Sequence, residues 1–175
     1  MKKIICCFLM IVMLASMAAC DSGDAVGKET GNQTGTSQGS TEPKEETFGL
    51  NETAVFKTLK FTATEMTESN GQNYMEPADG KVFVGVKFTI ENVSSEEQTI
   101  SSLLLFEAYV DDVKCSESFS GSVAFGSETL NGTIAPGKKL VGWYVMEASE
   151  NWSDIELSVQ STLISNSSAK FVFTK

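Results

Sequence analysis

Beyond residue 48 the apolar positions recur every second residue, the period of a strand with one buried face. The clearest case is Lys81–Ile90, where Val82, Val84, Val86, Phe88 and Ile90 fall on one face. Phe83, Gly85, Lys87 and Thr89 fall on the other, which predicts a half-buried antiparallel strand. Asp79-Gly80 signals a turn before it and Glu91-Asn92 ends it. The same alternation places Leu59, Phe61 and Ala63 on one face within 53–65, and Leu104, Phe106, Ala108 and Val110 within 102–110. It also groups Val141, Trp143 and Val145 within 139–147, and Ile155, Leu157 and Val159 within 154–163. A short strand at 113–118 follows the Asp111-Asp112 turn, and Phe171 with Phe173 closes the chain. Leu103–Ala108 also has helical propensity, but the flanking strands and turn pairs favour a strand. Pro136-Gly137 suits a type II turn and Asn131-Gly132 a tight hairpin. Seven strands in this order predict an all-β fold, an immunoglobulin-like antiparallel β-sandwich over residues 48–175.

Two earlier stretches break the pattern. Residues 1–19 read as a signal peptide: Lys2 and Lys3 precede the uncharged apolar run Ile4–Leu14, which is too short to span a bilayer. Residues 20–47 read as a tether. Gly23, Gly27, Gly31, Gly35 and Gly39 recur every fourth residue among polar neighbours, and Val26 is the only large aliphatic side chain. Such a stretch buries too little apolar area to offset its ordering entropy, so a disordered linker is expected, with a reach of roughly 30 Å.

Composition narrows the chemistry. The 175 residues include 13 Lys, no Arg and no His, against 23 acids, for a formal charge of −10. Phosphate neutralisation needs clustered Lys or Arg, so nucleic acid is an unexpected partner. The missing His removes the commonest general base and the commonest zinc ligand. No Ser-x-x-Lys motif comes with its partner motifs, and Glu96-Glu97 and Asp111-Asp112 are adjacent acids of the kind solvated on turns. No enzyme activity, catalytic residue, cofactor or metal is therefore expected. Calcium is the weighed exception, since Glu107, Asp111, Asp112 and Glu117 surround one expected hairpin. No Asp-x-Asp-x-Asp-Gly loop accompanies them, and solubility is the simpler account. Among aromatics, Trp143 reads as core. Trp152, after a Ser-Glu-Asn turn, is either an exposed platform for a sugar or protein partner or a cap on the sandwich. Trp152, Asp111 and Asp112 are thus the weak ligand-binding candidates. The folded part carries nine Lys against seventeen acids, a charge of −8 that disfavours anionic polymers but not neutral glycans or proteins.

Ser16-Met17-Ala18-Ala19-Cys20, followed by Asp21-Ser22-Gly23, resembles the cleavage site of a bacterial lipoprotein precursor. That resemblance implies a diacylglyceryl group on Cys20, cleavage just before it, and membrane anchoring on the extracytoplasmic face. Cys6 and Cys7 would leave with the signal, so Cys115 would be the one thiol of the mature domain. Tyr74–Ser94 resembles the signature of the family catalogued as domain of unknown function 4352, and so do Leu130–Val145, with its Pro136-Gly137-Lys138 turn, and Trp152–Leu157. The resemblance implies an immunoglobulin-like domain on a Gram-positive lipoprotein. Together these readings lead to an expectation of a lipid-anchored binding or adhesion module without catalysis, its protein or glycan ligand open. An accessory or sensor-like subunit of a membrane complex, contacting its partner through edge strands, is the alternative.

Overall fold

The longest alternating segment becomes the centre of a sheet. In the computed structural model, which describes residues 26–29, 46–72, 74–163 and 167–175, β5 (Lys81–Asn92) pairs along its whole length with two long neighbours. These are β4 (Leu59–Ser69) and β10 (Lys139–Ser149), and β3 (Thr53–Val55) and β1 (Gly27–Glu29) extend the sheet beyond β4. The facing sheet runs, in spatial order, β2 (Thr47–Phe48), β12 (Ser168–Thr174), β11 (Asp154–Gln160), β7 (Phe106–Val110) and β8 (Val113–Cys115). A separate two-stranded ribbon joins β6 (Gln98–Ser101) to β9 (Asn131–Ile134). Every ladder is antiparallel except β2–β12. The architecture is the expected immunoglobulin-like β-sandwich.

Between the sheets, Val84, Val86, Phe88 and Ile90 of β5 meet Ile155, Leu157, Val159 and Phe171, all fully buried. Phe88 packs edge-on against both Phe106 and Phe171 with centroids 5.2 Å apart, and Phe106 stacks on Tyr144 at 5.3 Å. Trp143 is buried as expected, but on the opposite face of β10. There it joins Phe83 and Val145 beneath α2 (Phe119–Ser122) and a 3₁₀ turn at Val123–Phe125. Glycine makes that second layer possible: a Cβ on Gly85 would lie 2.5 Å from the Phe125 ring, and one on Gly121 would lie 2.8 Å from Phe83.

Several elements differ from expectation, each for a local reason. Twelve strands, three of them long, appear among the described residues where seven were expected. The segment 53–65 folds back on itself, with Phe56 N–H donating to Leu59 C=O at 2.9 Å, to give β3 and β4. Ser102–Leu105 forms a one-turn helix, α1, before Phe106 enters β7, so leucine propensity prevails over the strand pattern for four residues. Strand β8 stops at Cys115 rather than 118. Asn131 and Gly132 do not form a hairpin turn; they lie inside β9, opposite Ser101 and Ile100. The Asn131 amide is engaged instead, accepting from Ser102 N–H at 3.2 Å and donating to Ser102 Oγ at 3.1 Å. The Pro136-Gly137 turn forms as expected, with Gly137 at φ 70° and Lys138 N–H bonded to Ala135 C=O at 3.0 Å. Within the expected tether, Gly27–Glu29 is an edge strand on β3, held by Lys28–Glu52 at 2.7 Å and Lys60–Glu29 at 2.9 Å. An edge strand held by backbone bonds and ion pairs needs no alternating apolar residues, so periodicity gave no sign of it.

Candidate functional site

Asp111 and Asp112 form the two-residue turn between β7 and β8, both with positive φ (49° and 64°), as the mirror-image hairpin turns require. Asp111 Oδ1 also accepts from Ser153 N–H at 2.8 Å and Asp154 N–H at 3.2 Å, fastening the start of β11 to the hairpin. Trp152 is 3 % exposed and caps the sandwich. Its Nε1 donates to Glu68 Oε1 at 2.7 Å, and Lys175 pairs with the same oxygen at 2.8 Å while lying 5.3 Å from the indole. Lys175, and then the Trp152 N–H, hold the Glu68 carboxyl below the usual range. Asp112 lines a cavity of about 380 Å³ with Glu107, Tyr109 and Lys170, but neither Asp111 nor Trp152 lines it, so the three candidates share no surface cavity there.

The four acids weighed for calcium diverge. Glu107 pairs with Lys114 and accepts from the Tyr109 hydroxyl at 3.1 Å, which together lower its pKa. Asp111 is committed to backbone. Among the described residues no group of three or more His, Cys, Asp or Glu side chains is placed to hold a metal ion. Cys20 lies outside the described residues.

Glu117 is the exception among these acids. After β8 the chain leaves the second sheet and crosses to the first, where Glu117 bridges Met146 of β10 and Ser118 N–H donates to Val145 C=O at 2.7 Å. The crossing carries Glu117 inward until it is 8 % exposed. Ser102 Oγ donates to Oε2 at 2.7 Å and is itself oriented by the Asn131 amide, whereas Oε1 is buried with no hydrogen-bond partner. Burial pushes the carboxyl above its ordinary pKa, and the Ser102 bond only partly opposes this.

Glu117 lines a cleft of about 420 Å³ at this edge of the sandwich. Leu103, Leu104 and Phe106 form its apolar wall, Tyr144 and Cys115 line it, and the Glu107–Lys114 pair stands at its rim. Burial, and then the charges of Glu117, Cys115 and Glu107, push the Tyr144 phenol well above its ordinary value. Burial likewise raises the half-buried Cys115 thiol, which makes it a poor nucleophile. The cleft thus sets an apolar wall beside a residue whose buried carboxylate oxygen lacks a partner. Sequence reasoning grouped Glu117 with the hairpin acids. The crossing between sheets that separates it is a tertiary event with no local pattern to announce it.

The fold and this cleft define a class, a two-sheet immunoglobulin-like module with a lateral cavity. The chain matches, over residues 48–170, the family described as Domain of unknown function (DUF4352), and it belongs to that family. Solved structures of similar fold include the Bacillus subtilis protein YcdA, titled a "putative lipoprotein", at 15 % identity and a TM-score of 0.56. That alignment covers 67 % of this chain but 36 % of YcdA, so the chain spans about a third of that protein. An uncharacterised β-sandwich protein from Clostridium difficile 630 aligns over 79 % of this chain and 99 % of its own, at 18 % identity and a TM-score of 0.51. A Staphylococcus aureus NCTC 8325 protein, also titled a "putative lipoprotein", aligns over 70 % and 87 % at 16 % identity and a TM-score of 0.50. At these identities the likeness is one of fold. A search of the curated proteins returns no match.

Proposed function

We propose that the chain is a lipid-anchored, extracytoplasmic binding module without catalytic activity, taking its ligand in the cleft beside Glu117. The observation that carries the binding reading is that Glu117, whose carboxylate keeps one buried oxygen unpartnered, lines a cavity. Native structures pair nearly all such groups, so an orphan in a cleft marks a place where a partner completes the bonding. The anchor reading rests on Ala18-Ala19-Cys20 after the apolar run, and two acyl chains at about 0.8 kcal/mol per buried methylene would hold it stably. The similar B. subtilis and S. aureus proteins, each described as a "putative lipoprotein", support it.

Cell fractionation tests the anchor: Cys20→Ala should release the protein from the membrane fraction on detergent-free washing, and retention would refute lipidation. Affinity capture from detergent extracts and from cell-wall glycan tests binding, because a ligand should be retained by the parent protein and lost when Leu104→Asp fills the cleft with charge. Capture of nothing from either source contradicts the module reading. A second reading, an accessory or sensor-like subunit of a membrane complex, is favoured by one feature. Strand β8 ends its sheet with Val113 69 % exposed, a free edge onto which a partner strand could add. A stable membrane-protein partner in the same capture would select it.

A further inference from the structure

The chemistry of the cleft narrows the ligand further, on the premise that this cleft is the binding site. We propose that it receives an aliphatic primary ammonium group, with Glu117 as counter-ion and Leu103, Leu104 and Phe106 against the methylene stem. Four observations converge on this chemistry.

First, the free acceptor is a carboxylate oxygen buried without a cation; the nearby Lys114 is already engaged by Glu107 at the rim. A buried carboxylate lacking a partner is costly, and an arriving cation removes much of that cost. Second, only one oxygen lacks a partner, and it is buried. Ser102 Oγ occupies Oε2 at 2.7 Å, in a position fixed by the Asn131 amide at 3.1 Å. A guanidinium recognises a carboxylate through two parallel bonds, whereas an ammonium is a point charge that needs a single acceptor. Third, a metal ion would need several oxygens, and among the described residues no such group exists. Fourth, the cleft's outer lip is apolar and uncovered: Leu103 is 67 % and Leu104 56 % exposed, although both belong to an element that packs against the core. Lysine-like stems cover apolar surface in this way while their charged end finds a partner. The folded part's charge of −8 adds a long-range attraction for cations.

Calorimetric titration of the full-length protein in detergent micelles tests this with defined probes. These are acetyl-Gly-Lys-Gly-amide, its Nε-acetylated form, the corresponding Arg peptide and 1,5-diaminopentane. The Lys peptide should bind at least tenfold more tightly than its acetylated form and more tightly than the Arg peptide. Glu117→Gln should erase that preference. Glu65→Gln, an exposed acid on β4, removes the same unit of net charge and should preserve it. Leu103→Ser, at an exposed position, should weaken binding without moving the melting temperature, which keeps the test valid if Glu117→Gln unfolds. Diaminopentane binding as tightly as the peptide would assign a free amine as the ligand, and peptide binding alone would assign a lysyl segment of a protein. Equal binding of the acetylated peptide, a preference surviving in Glu117→Gln, or no binding by any amine would overturn the proposal. A natural ligand captured equally by the parent and by Glu117→Gln would overturn it too, while leaving the binding module itself standing.

Discussion

Glu68 and Glu117 are both carboxylates at margins of the same sandwich, and they are treated in opposite ways. Glu68 receives the Trp152 indole N–H and the Lys175 ammonium, with each donor also packed on the other, and its pKa falls. Glu117 receives one hydroxyl, keeps its second oxygen buried and unpartnered, and its pKa rises. The contrast teaches how to tell a structural acid from an available one. A satisfied carboxylate closes a corner of the fold, and a buried, incompletely satisfied one beside a cleft is destabilising until something pairs with it. Trp152 and Asp111, singled out by residue type, are likewise hydrogen-bonded within the fold.

The largest expected effect lies on the Glu68 side. Trp152→Ala removes a fully packed indole and should cost about 3–5 kcal/mol, read as a fall in the denaturant midpoint. A loss below about 1 kcal/mol would mean that the indole is not part of the core. On the other side the sign reverses. Glu117→Gln removes a buried charge, and at pH 7 the variant should be as stable as the parent or more so, by on the order of 1 kcal/mol. A carboxyl whose folded pKa lies above its unfolded value binds more protons when folded, so parent stability declines as pH rises from the unfolded pKa through the folded one. The gap between variant and parent should therefore shrink toward acid, and a gap independent of pH would contradict a charged, incompletely paired Glu117. The smallest effect is Glu68→Gln, whose partner Lys175 is 42 % exposed; at most about 1 kcal/mol should be lost. Its lowered pKa gives the opposite slope: the contribution is present above the unfolded pKa and fades as pH falls through the folded one. Melting curves of the two Gln variants between pH 3 and pH 7 thus separate the two corners directly.

In the lipid-anchored form proposed above, the edge strand β1 shortens the tether. With lipid on Cys20, the seven residues to Gly27 span at most about 25 Å when fully extended, so β1 would hold the domain closer than a free 27-residue linker does. Backbone pairing with β3, together with the Lys28–Glu52 and Glu29–Lys60 ion pairs, holds that strand.

How much was legible follows from which forces leave a local trace. The alternation of Val82 to Ile90, of Leu59 to Ala63 and of Ile155 to Val159 exposes the sandwich, because one-sided burial imprints period two on the chain. Strands β1 and β6 lack that imprint: β1 is exposed and held by backbone bonds and ion pairs, and β6 sends a single side chain, Ile100, into the core, too few to show a period. Trp143 was legible as buried but not as belonging to the second layer, since Gly85 and Gly121 create that layer from distant parts of the sequence. Glu117 was visible only as one acid among several. Its role comes from the crossing between sheets and from Ser102 and Asn131, which are 15 and 14 residues away along the chain and meet it only in the fold.

The central claim, that the Glu117 cleft is the binding site, is met most directly by a ¹H–¹⁵N correlation titration of the full-length protein in micelles with acetyl-Gly-Lys-Gly-amide. The account predicts shifts confined to α1, to β8 with Ser116–Ser118, and to Tyr144, all absent in Glu117→Gln. Shifts centred elsewhere on the sandwich, or none at saturating peptide, would contradict it.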